Sequence, residues 1–276
     1  MTEIRFDERV VLVTGAGRGL GAAYARAFAA RGASVVVHDA GVAQDGSGGD
    51  PDVARTVAEE IGGVPCTENL ETEAGCRRTI EFVLEHFGRV DAVVQNAGLL
   101  IWEEIEEAGR SWERLRRVNV DAPFHLTRAA FGAMRTRGYG RFVFTTSGRA
   151  MTKEQTRPGL VAYAVGKTAH FALMVVTAAE GERHGILANA VAPAARTRML
   201  VRSVEPGELD PEQVAPGVLF LASDRCTFSG KVLEAAGGEF DVARWVSSDG
   251  LDFGETPVEP ETISERWAEI EGAVAT

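Results

Sequence analysis

Tyr163 and Lys167 form a candidate pair for acid/base catalysis. They stand four positions apart at the start of an apolar segment, AYAVGKTAHFALMVVTAA, so a helix there would put both on one face, about one turn apart. A phenol titrates near about 10 in water, but a neighbouring cation favours the phenolate, and each unit of pKa lowering takes about 1.4 kcal/mol. The same spacing is common on ordinary amphipathic helices, so the pair predicts a general acid/base only if its surroundings support that role.

A run of hydroxyl residues precedes that pair in the chain. The apolar stretch at 142–144 predicts a buried strand over 141–147, and this strand ends on Thr145, Thr146 and Ser147. A serine hydroxyl held at a strand end could hydrogen-bond the substrate oxygen while the tyrosine exchanges its proton. Ser147, Tyr163 and Lys167 together predict a site that oxidises an alcohol or reduces a ketone.

The N-terminal part of the chain has the pattern of a dinucleotide site. A β-branched run at 9–14 leads into a glycine-rich turn, an alanine-rich helix and a second strand at 33–38 that ends at Asp39. Glycines let a backbone approach a pyrophosphate, the helix N-terminus offers free N–H groups, and the carboxylate can accept hydrogen bonds from a ribose diol. The spacing Gly15, Gly19, Gly21 differs from G-x-G-x-x-G, but its strand-to-helix context favours dinucleotide binding over a plain turn.

Two further segments supply candidate site residues. Asn96-Ala97-Gly98 follows a buried strand at 91–95, where small residues would let a cofactor ring lie against the backbone. Asn119 lies inside a predicted helix at 111–134, where a solvent-facing role is the alternative. Its valine neighbours indicate partial burial, and a buried amide needs a partner, for which a bound water is a natural choice.

The alternation of strand and helix patterns predicts one α/β domain. Seven strands alternating with helices predict a Rossmann-type, doubly wound parallel sheet over residues 1–248, followed by a tail at 249–276 with an amphipathic segment at 263–270. The strands are predicted at 9–14, 33–38, 64–68, 91–95, 141–147, 186–191 and 231–235.

Composition excludes several classes of protein. The chain of 276 residues has a net charge of −11, which argues against a nucleic-acid or anionic-membrane surface. No apolar run reaches transmembrane length, and the first residues lack the apolar region of a signal peptide. The three cysteines form no Cys-x-x-Cys, and the five histidines show no metal-ligand spacing, so a cytoplasmic protein without a metal is expected.

Taken together, these motifs resemble the short-chain dehydrogenase/reductase family over about residues 5–240. The resemblance implies that Tyr163 is the general acid/base and that Lys167 lowers its pKa while binding the nicotinamide ribose. It also implies that Ser147 orients the substrate oxygen and that Asn119 holds a water in a proton relay. The motifs that carry the resemblance are Thr14-Gly-x-x-x-Gly-x-Gly21, Asn96-Ala97-Gly98, Asn119, Ser147, Tyr163-x-x-x-Lys167, and Pro193 with Thr197.

The same resemblance implies a set of cofactor contacts. Asn69 and Leu70 stand where the family contacts adenine, and Thr197 where it meets the carboxamide. The expected cofactor-binding residues are Gly15, Arg18, Gly19, Leu20, Gly21, Asp39, Asn69, Leu70, Asn96, Ala97, Gly98, Tyr163, Lys167, Pro193 and Thr197. Asp39 would repel a 2′-phosphate, whereas Arg18 resembles a position where some NADP-using relatives carry a base. Because no cation follows Asp39 in Ala40 and Gly41, NAD is expected over NADP.

A narrower resemblance is to the (3R)-hydroxyacyl-CoA dehydrogenase domain of peroxisomal multifunctional enzymes. It rests on the glycine-rich loop after Asp39, Arg198-Met199, the 212–216 run and the 265–267 segment. Gln95 departs from the family's usual asparagine, Ala194-Ala195 follow Pro193 where many members have glycine, and the interval from Ser147 to Tyr163 is three residues longer than is common.

The substrate and the assembly stay open at this point. Arg198 and Arg202 could pair with CoA phosphates or be ordinary surface arginines. An apolar pocket would equally suit a bulky lipid-like or polycyclic ketone, and its candidate residues are Leu100, Trp102, Met151, Leu160 and Met199. An NADPH-dependent ketoreductase of a biosynthetic pathway and a non-catalytic NAD-binding regulator are the alternatives. The family's pairing of helices, here at 111–134 and 160–181, implies a homodimer or homotetramer.

Overall fold

A computed structural model describes residues 2–43, 45–197, 199, 205, 207–255 and 257–272. Its sheet has eight strands in the order β3-β2-β1-β4-β5-β6-β7-β8. All pairings from β3 to β7 are parallel, so the Rossmann-type doubly wound fold expected from the sequence is confirmed. The strands are β1 (Val10–Thr14), β2 (Ser34–His38), β3 (Val64–Cys66), β4 (Ala92–Gln95), β5 (Gly140–Thr145), β6 (Ile186–Ala194), β7 (Val232–Ala236) and β8 (Glu239–Ala243).

The eighth strand was not predicted. Only Gly237 and Gly238 separate β8 from β7, with φ angles of 55° and 87°, so the two strands form a hairpin and run antiparallel. β8 is exposed along most of its length and carries Glu239 and Asp241, which weaken the apolar pattern that marks a buried strand. The strand at 186–191 was also predicted too short, because β6 continues through Pro193 to Ala194.

The helices pack in two groups against the sheet. α1 contacts both α2 and α7, and α3, α4, α5 and α6 form a second connected group. Valines of β1, β2 and β4 lie buried between these layers, which is why those strands are apolar at nearly every position. The helices are α1 (Gly19–Ala29), α2 (Asp52–Ile61), α3 (Glu73–Phe87), α4 (Gly109–Arg116), α5 (Ala122–Arg137), α6 (Val161–Gly181), α7 (Ala215–Ala222), α8 (Pro260–Glu265) and α9 (Trp267–Glu271).

The helix predicted at 111–134 is interrupted. A π-helical turn, Arg117–Asp121, separates α4 from α5 and carries Asn119, which is fully buried. Such a turn holds one residue more than an α-helical turn and often marks a functional position. Periodicity alone misses it, because the apolar pattern on either side continues with little change.

Helix α6 is the long apolar helix of the fold. With the short 3-10 turn that follows, Val161–His184 is long and apolar enough to cross a membrane, so the sequence-based expectation that no segment reaches that length is wrong. The same helix contacts β5 and β6 and buries the polar residues Lys167, His170 and Thr177. These features are those of a core helix in a doubly wound sheet.

The chain divides into two compact units, Met1–Val242 and Ala243–Thr276, whereas the sequence predicted a boundary after residue 248. Within the second unit, α8 and α9 cover the predicted amphipathic segment at 263–270. There Arg266 pairs with Glu269 at 2.6 Å, and its guanidinium lies 5.6 Å from the ring centre of Phe253.

Candidate active site

A cavity of about 780 Å³ opens at the carboxyl ends of the parallel strands, where ligands bind in doubly wound folds. The structure brings nearly all the predicted site residues to its wall. They are Gly15, Arg18, Gly19, Leu20, Asp39, Asn69, Leu70, Asn96, Ala97, Gly98, Ser147, Tyr163, Lys167, Pro193 and Thr197. Two predicted residues, Gly21 and Asn119, lie behind the wall.

The glycine-rich turn between β1 and α1 is tightly folded on itself. A Cβ atom on Gly21 would lie 2.0 Å from the carbonyl oxygen of Gly15, so no side chain fits there. Gly15 has a φ of +64°, and its Cβ would lie 2.9 Å from the Cα of Ala97. The turn therefore leaves open backbone facing the cavity, and Gly21 acts through the shape of the turn.

Asp39 holds this turn to the end of β2. Its carboxylate accepts hydrogen bonds from the backbone N–H of Gly17 at 2.9 Å and of Gly41 at 2.8 Å. A carboxylate has about four acceptor positions, so two remain for a diol. Arg18 donates to the carbonyl of Val42 at 3.4 Å, on the exposed side of the turn.

Asn96 has a structural part that the sequence did not reveal. Its amide donates to the carbonyl oxygens of Thr14 at 3.0 Å and Gly15 at 3.1 Å. The hydroxyl of Thr14 in turn accepts from the backbone N–H groups of Asn96 and Ala97, both at 3.0 Å. Asn96 therefore fastens the glycine-rich turn to the end of β4.

Lys167 is buried beside Tyr163. Its ammonium donates to the carbonyl oxygen of Thr145 at 2.9 Å and lies 5.9 Å from the ring centre of Tyr163. Only 4% of Lys167 is exposed, and this burial lowers its pKa to about 8. The strand end of β5 thus fixes the lysine one helical turn from the phenol.

The environment of Tyr163 acts on its pKa in two directions. Burial raises it, while the hydrogen bond with Ser147 and the positive charge of Arg149 lower it. Burial is the largest of these effects, so the phenol keeps its proton at neutral pH. The hydroxyl of Ser147 also accepts from the backbone N–H of Arg149 at 3.3 Å, which fixes the serine at the start of the following 3-10 turn.

Asn119 contacts the backbone of Leu99 rather than the cavity. Its side-chain oxygen accepts from the N–H of Leu99 at 2.9 Å, and its side-chain nitrogen donates to the carbonyl of Leu99 at 2.8 Å. Main-chain groups therefore supply two of the partners that a buried asparagine requires, and the water expected from the sequence stays a prediction. This pairing joins the π-helical turn to the loop after β4.

The substrate side of the cavity is more polar than predicted. Of the five apolar candidates, Leu100 and Met199 line the wall, whereas Leu160 is buried in the core around Tyr163, and Trp102 and Met151 lie off the wall. The wall instead includes polar residues that no sequence signal singled out: Arg149, Glu154, Gln155, Arg157, Glu234 and Asp241. Arg198 and Arg202 lie outside the described residues.

Comparison with known proteins agrees with this geometry. The short chain dehydrogenase family matches residues 9–207. A putative short-chain type dehydrogenase/reductase of Mycobacterium tuberculosis is 36% identical over 96% of this chain and 94% of its own length. The peroxisomal multifunctional enzyme type 2 of Mus musculus is also 36% identical, over 97% of this chain and 37% of its own length.

Solved structures give the same result. A short chain dehydrogenase from Mycobacterium avium superposes with a TM-score of 0.83 at 33% identity and covers 97% of this chain and 95% of its own. The full-length peroxisomal multifunctional enzyme type 2 of Drosophila melanogaster gives 0.79 at 28% identity, with 98% of this chain and 46% of that chain covered. The chain thus spans less than half of these two multifunctional relatives. It belongs to the short chain dehydrogenase family, and the protein is an oxidoreductase acting on CH–OH groups.

Proposed function

We propose that the protein transfers a hydride between NAD and a secondary alcohol or ketone, with Tyr163 exchanging the proton. The observation that carries this proposal is the meeting of Ser147, Tyr163 and Lys167 on one wall of the cavity that also contains the glycine-rich turn and Asp39.

The residues present fit a nicotinamide dinucleotide. Gly15 and Gly19 leave backbone open toward the cavity, and Asp39 keeps acceptor positions free beside them. They would hold the pyrophosphate and the adenosine ribose, while Lys167 would bind the nicotinamide ribose. When bound, the cofactor supplies the hydride acceptor or donor.

The chain's own residues handle the proton and the substrate oxygen. Ser147 and Tyr163 lie close enough to hydrogen-bond each other, so both hydroxyls can contact one substrate oxygen. With its proton kept by burial, Tyr163 is ready to donate to a developing alkoxide during reduction. In oxidation it must act as a base, for which the ammonium of Lys167, 5.9 Å from the ring centre, favours the phenolate.

The test is the variant Tyr163→Phe. We expect kcat to fall by about 10³-fold or more while the affinity for NAD changes little, because only the proton-exchanging hydroxyl is lost. Tyr24→Phe is the matched control, since Tyr24 is also buried, in α1, and its hydroxyl has no hydrogen-bond partner among the described residues. Near-normal turnover by Tyr163→Phe would overturn the proposed role.

The choice of NAD over NADP rests on Asp39. Its carboxylate faces the cavity, and Arg18 contacts the carbonyl of Val42 rather than forming a phosphate clamp with a second cation. We expect a higher kcat/KM with NAD than with NADP. We expect Asp39→Ser to bring the two values closer together, because it removes the charge that repels a 2′-phosphate. Better turnover with NADPH would favour the alternative, a biosynthetic ketoreductase.

Hydroxyacyl thioesters are the proposed substrate class. Relatives named for multifunctional peroxisomal enzymes and for acetoacetyl-CoA reduction support it. Initial rates with 3-hydroxyacyl-CoA, steroid and small-alcohol panels, followed as NADH formation, test this choice. NAD binding without turnover of any panel member would instead indicate the non-catalytic regulator.

We also propose that the protein is a homodimer or homotetramer. Phe124 of α5 and Val165 and Val176 of α6 are large apolar side chains with 49%, 43% and 54% exposure, which suits a second copy of the chain. Sedimentation equilibrium distinguishes these states from a monomer. The cytoplasmic location stays a prediction, and since several relatives are named peroxisomal, fractionation against a peroxisomal marker is its test.

A further inference from the structure

Arg149 is a cation on the cavity wall that the proposed proton transfer does not require. It lies two residues after Ser147, in the 3-10 turn Gly148–Ala150 that begins the long loop between β5 and α6. Its charge is close enough to Tyr163 to lower the pKa of that phenol, and its guanidinium lies 5.9 Å from the ring centre of Trp102. The side chain is half-buried, next to the reacting groups.

The acidic residues of the same wall leave Arg149 without an ion-pair partner. Glu234 of β7 hydrogen-bonds Asp241 of β8, and Gln155 hydrogen-bonds the carboxyl group of Glu234. No Asp or Glu of the described residues lies within ion-pair distance of the Arg149 guanidinium. A second arginine of the loop, Arg157, donates to the carbonyl oxygens of Glu154 at 3.1 Å and Thr156 at 2.6 Å.

A half-buried guanidinium without an acceptor is unfavourable, and its planar donors match a carbonyl or carboxylate oxygen. The reacting oxygen of the substrate is already taken by Ser147 and Tyr163. A second oxygen on the same molecule, a short distance along its carbon chain, would supply an acceptor for Arg149. A 3-hydroxyacyl group has such an oxygen on C1.

We propose that Arg149 is a specificity-determining residue that binds a second, carbonyl-type oxygen of the substrate, carried two carbons from the reacting alcohol. This inference rests on the proposed function, because it assumes that Ser147 and Tyr163 hold the reacting oxygen. It assigns the enzyme to substrates with a 1,3 arrangement of alcohol and acyl oxygens. The acyl oxygen belongs either to a thioester or to a free carboxylate.

The experiment compares Arg149→Met and Arg149→Lys with the wild-type enzyme on three substrates. They are a 3-hydroxyacyl thioester, the corresponding free 3-hydroxy acid, and a secondary alcohol of equal length without the second oxygen. We expect Arg149→Met to lose about 10- to 100-fold in kcat/KM, mainly through KM, on whichever acyl form the enzyme uses. We expect a much smaller loss on the plain alcohol, where only the positive charge near Tyr163 is removed, and an intermediate loss for Arg149→Lys on the acyl substrate.

Lys153→Met is the matched control, because it removes an exposed cation of the same loop that does not line the cavity. We expect it to leave kcat/KM on all three substrates nearly unchanged.

Equal loss on all three substrates by Arg149→Met would overturn the proposal, since Arg149 would then act through Tyr163. No loss on any of them would also overturn it. A wild-type enzyme that turns over the plain alcohol but gains nothing from the second oxygen would refute this proposal alone. Wild-type failure on all three would refute the proposed function and this proposal with it.

Discussion

The two ends of the cavity are built in different ways. At the cofactor end, defined here by the glycine-rich turn, Asp39 and Asn96, the wall is backbone held by hydrogen bonds between strand ends. At the substrate end, defined by Arg149, Gln155, Glu234 and Asp241, the wall consists of side chains from a loop and an edge hairpin. The cofactor end is therefore formed by the ends of core strands, whereas the substrate end is formed by side chains outside the core.

This difference predicts how substitutions should behave. A change at the cofactor end should alter folding stability and cofactor binding together, because the same backbone contacts serve both. A change at the substrate end should alter selectivity and leave stability nearly constant, because polar side chains that are exposed or only partly buried contribute little to folding. Tyr163 and Lys167 lie between the two ends. Their side chains should support turnover, while their burial should lower the free energy of unfolding.

The largest effect is expected at the cofactor end, for Gly21→Ala. The added Cβ would lie 2.0 Å from the carbonyl oxygen of Gly15, so the turn must open. We expect a loss of about 3 kcal/mol or more in the free energy of unfolding and no measurable NAD binding. Chemical denaturation and calorimetric titration measure both.

Gly132→Ala is the control, because its Cβ meets nothing within 4 Å in the middle of α5. It should stabilise the protein by about 0.5–1 kcal/mol. Normal NAD affinity in Gly21→Ala would contradict the view that turn and cofactor site are one structure.

Lys167→Met should separate function from stability. Burial lowers the pKa of this lysine to about 8 in the folded protein from its ordinary value of 10.5, so the unfolded chain binds this proton more tightly. The charged lysine therefore destabilises the folded protein fully below pH 8, and this destabilisation decreases as the pH rises from about 8 to 10.5. Although the variant loses the hydrogen bond to Thr145, we expect it to be about 1–3 kcal/mol more stable at pH 7 without cofactor.

Turnover by Lys167→Met should fall by about 10²-fold or more, since the phenolate loses its neighbouring cation. Melting temperatures from pH 7 to pH 10.5 test the stability effect, with the exposed Lys231→Met as the control. The wild-type protein should gain stability across this range relative to Lys167→Met. A less stable Lys167→Met at pH 7 would show that the hydrogen bond to Thr145 outweighs the buried charge.

Asn96→Ala should show a smaller, coupled effect at the cofactor end. It removes two hydrogen bonds that fasten the carbonyls of Thr14 and Gly15. We expect a loss of about 1–2 kcal/mol in stability and a weaker affinity for NAD, with kcat at saturating NAD largely retained. A loss of affinity at unchanged stability would mean that the amide contacts the cofactor directly.

The cofactor end could be predicted from the sequence because its signals are local. The valine run of β1, the glycines that follow and Asp39 after β2 lie within one strand–helix–strand unit, and each reflects a backbone requirement. Ser147, Tyr163 and Lys167 were brought together as expected for the same reason, through a strand end and a helical spacing.

Partners distant in sequence could not be predicted. Asn96 and Asn119 were identified as site residues, but their contacts with Thr14 and Leu99 depend on how separate strands and helices meet. The substrate end was missed because its side chains come from an irregular loop and from β8, whose polar residues gave no strand signal. Arg149 and Glu234 can be recognised as site residues only from the folded structure, which places both on one wall of the cavity.

The smallest effect is expected at the substrate end, for Glu234→Gln. Partial burial, followed by the charge of Asp241 and the hydrogen bond with it, raises the pKa of Glu234 above its usual 4.5. A raised pKa means that the folded protein binds this proton more tightly, so stability from it is present at low pH and lost as the pH rises through the folded pKa. The variant should therefore be slightly more stable than the wild type above pH 5, by less than about 1 kcal/mol because the site is largely solvated.

The exposed Glu239→Gln on the same hairpin is the control, with melting temperatures from pH 4 to pH 7 and NAD affinity as readouts. If Glu234→Gln weakened NAD binding as strongly as Asn96→Ala, the two ends would not be independent, and the contrast between a backbone wall and a side-chain wall would fail.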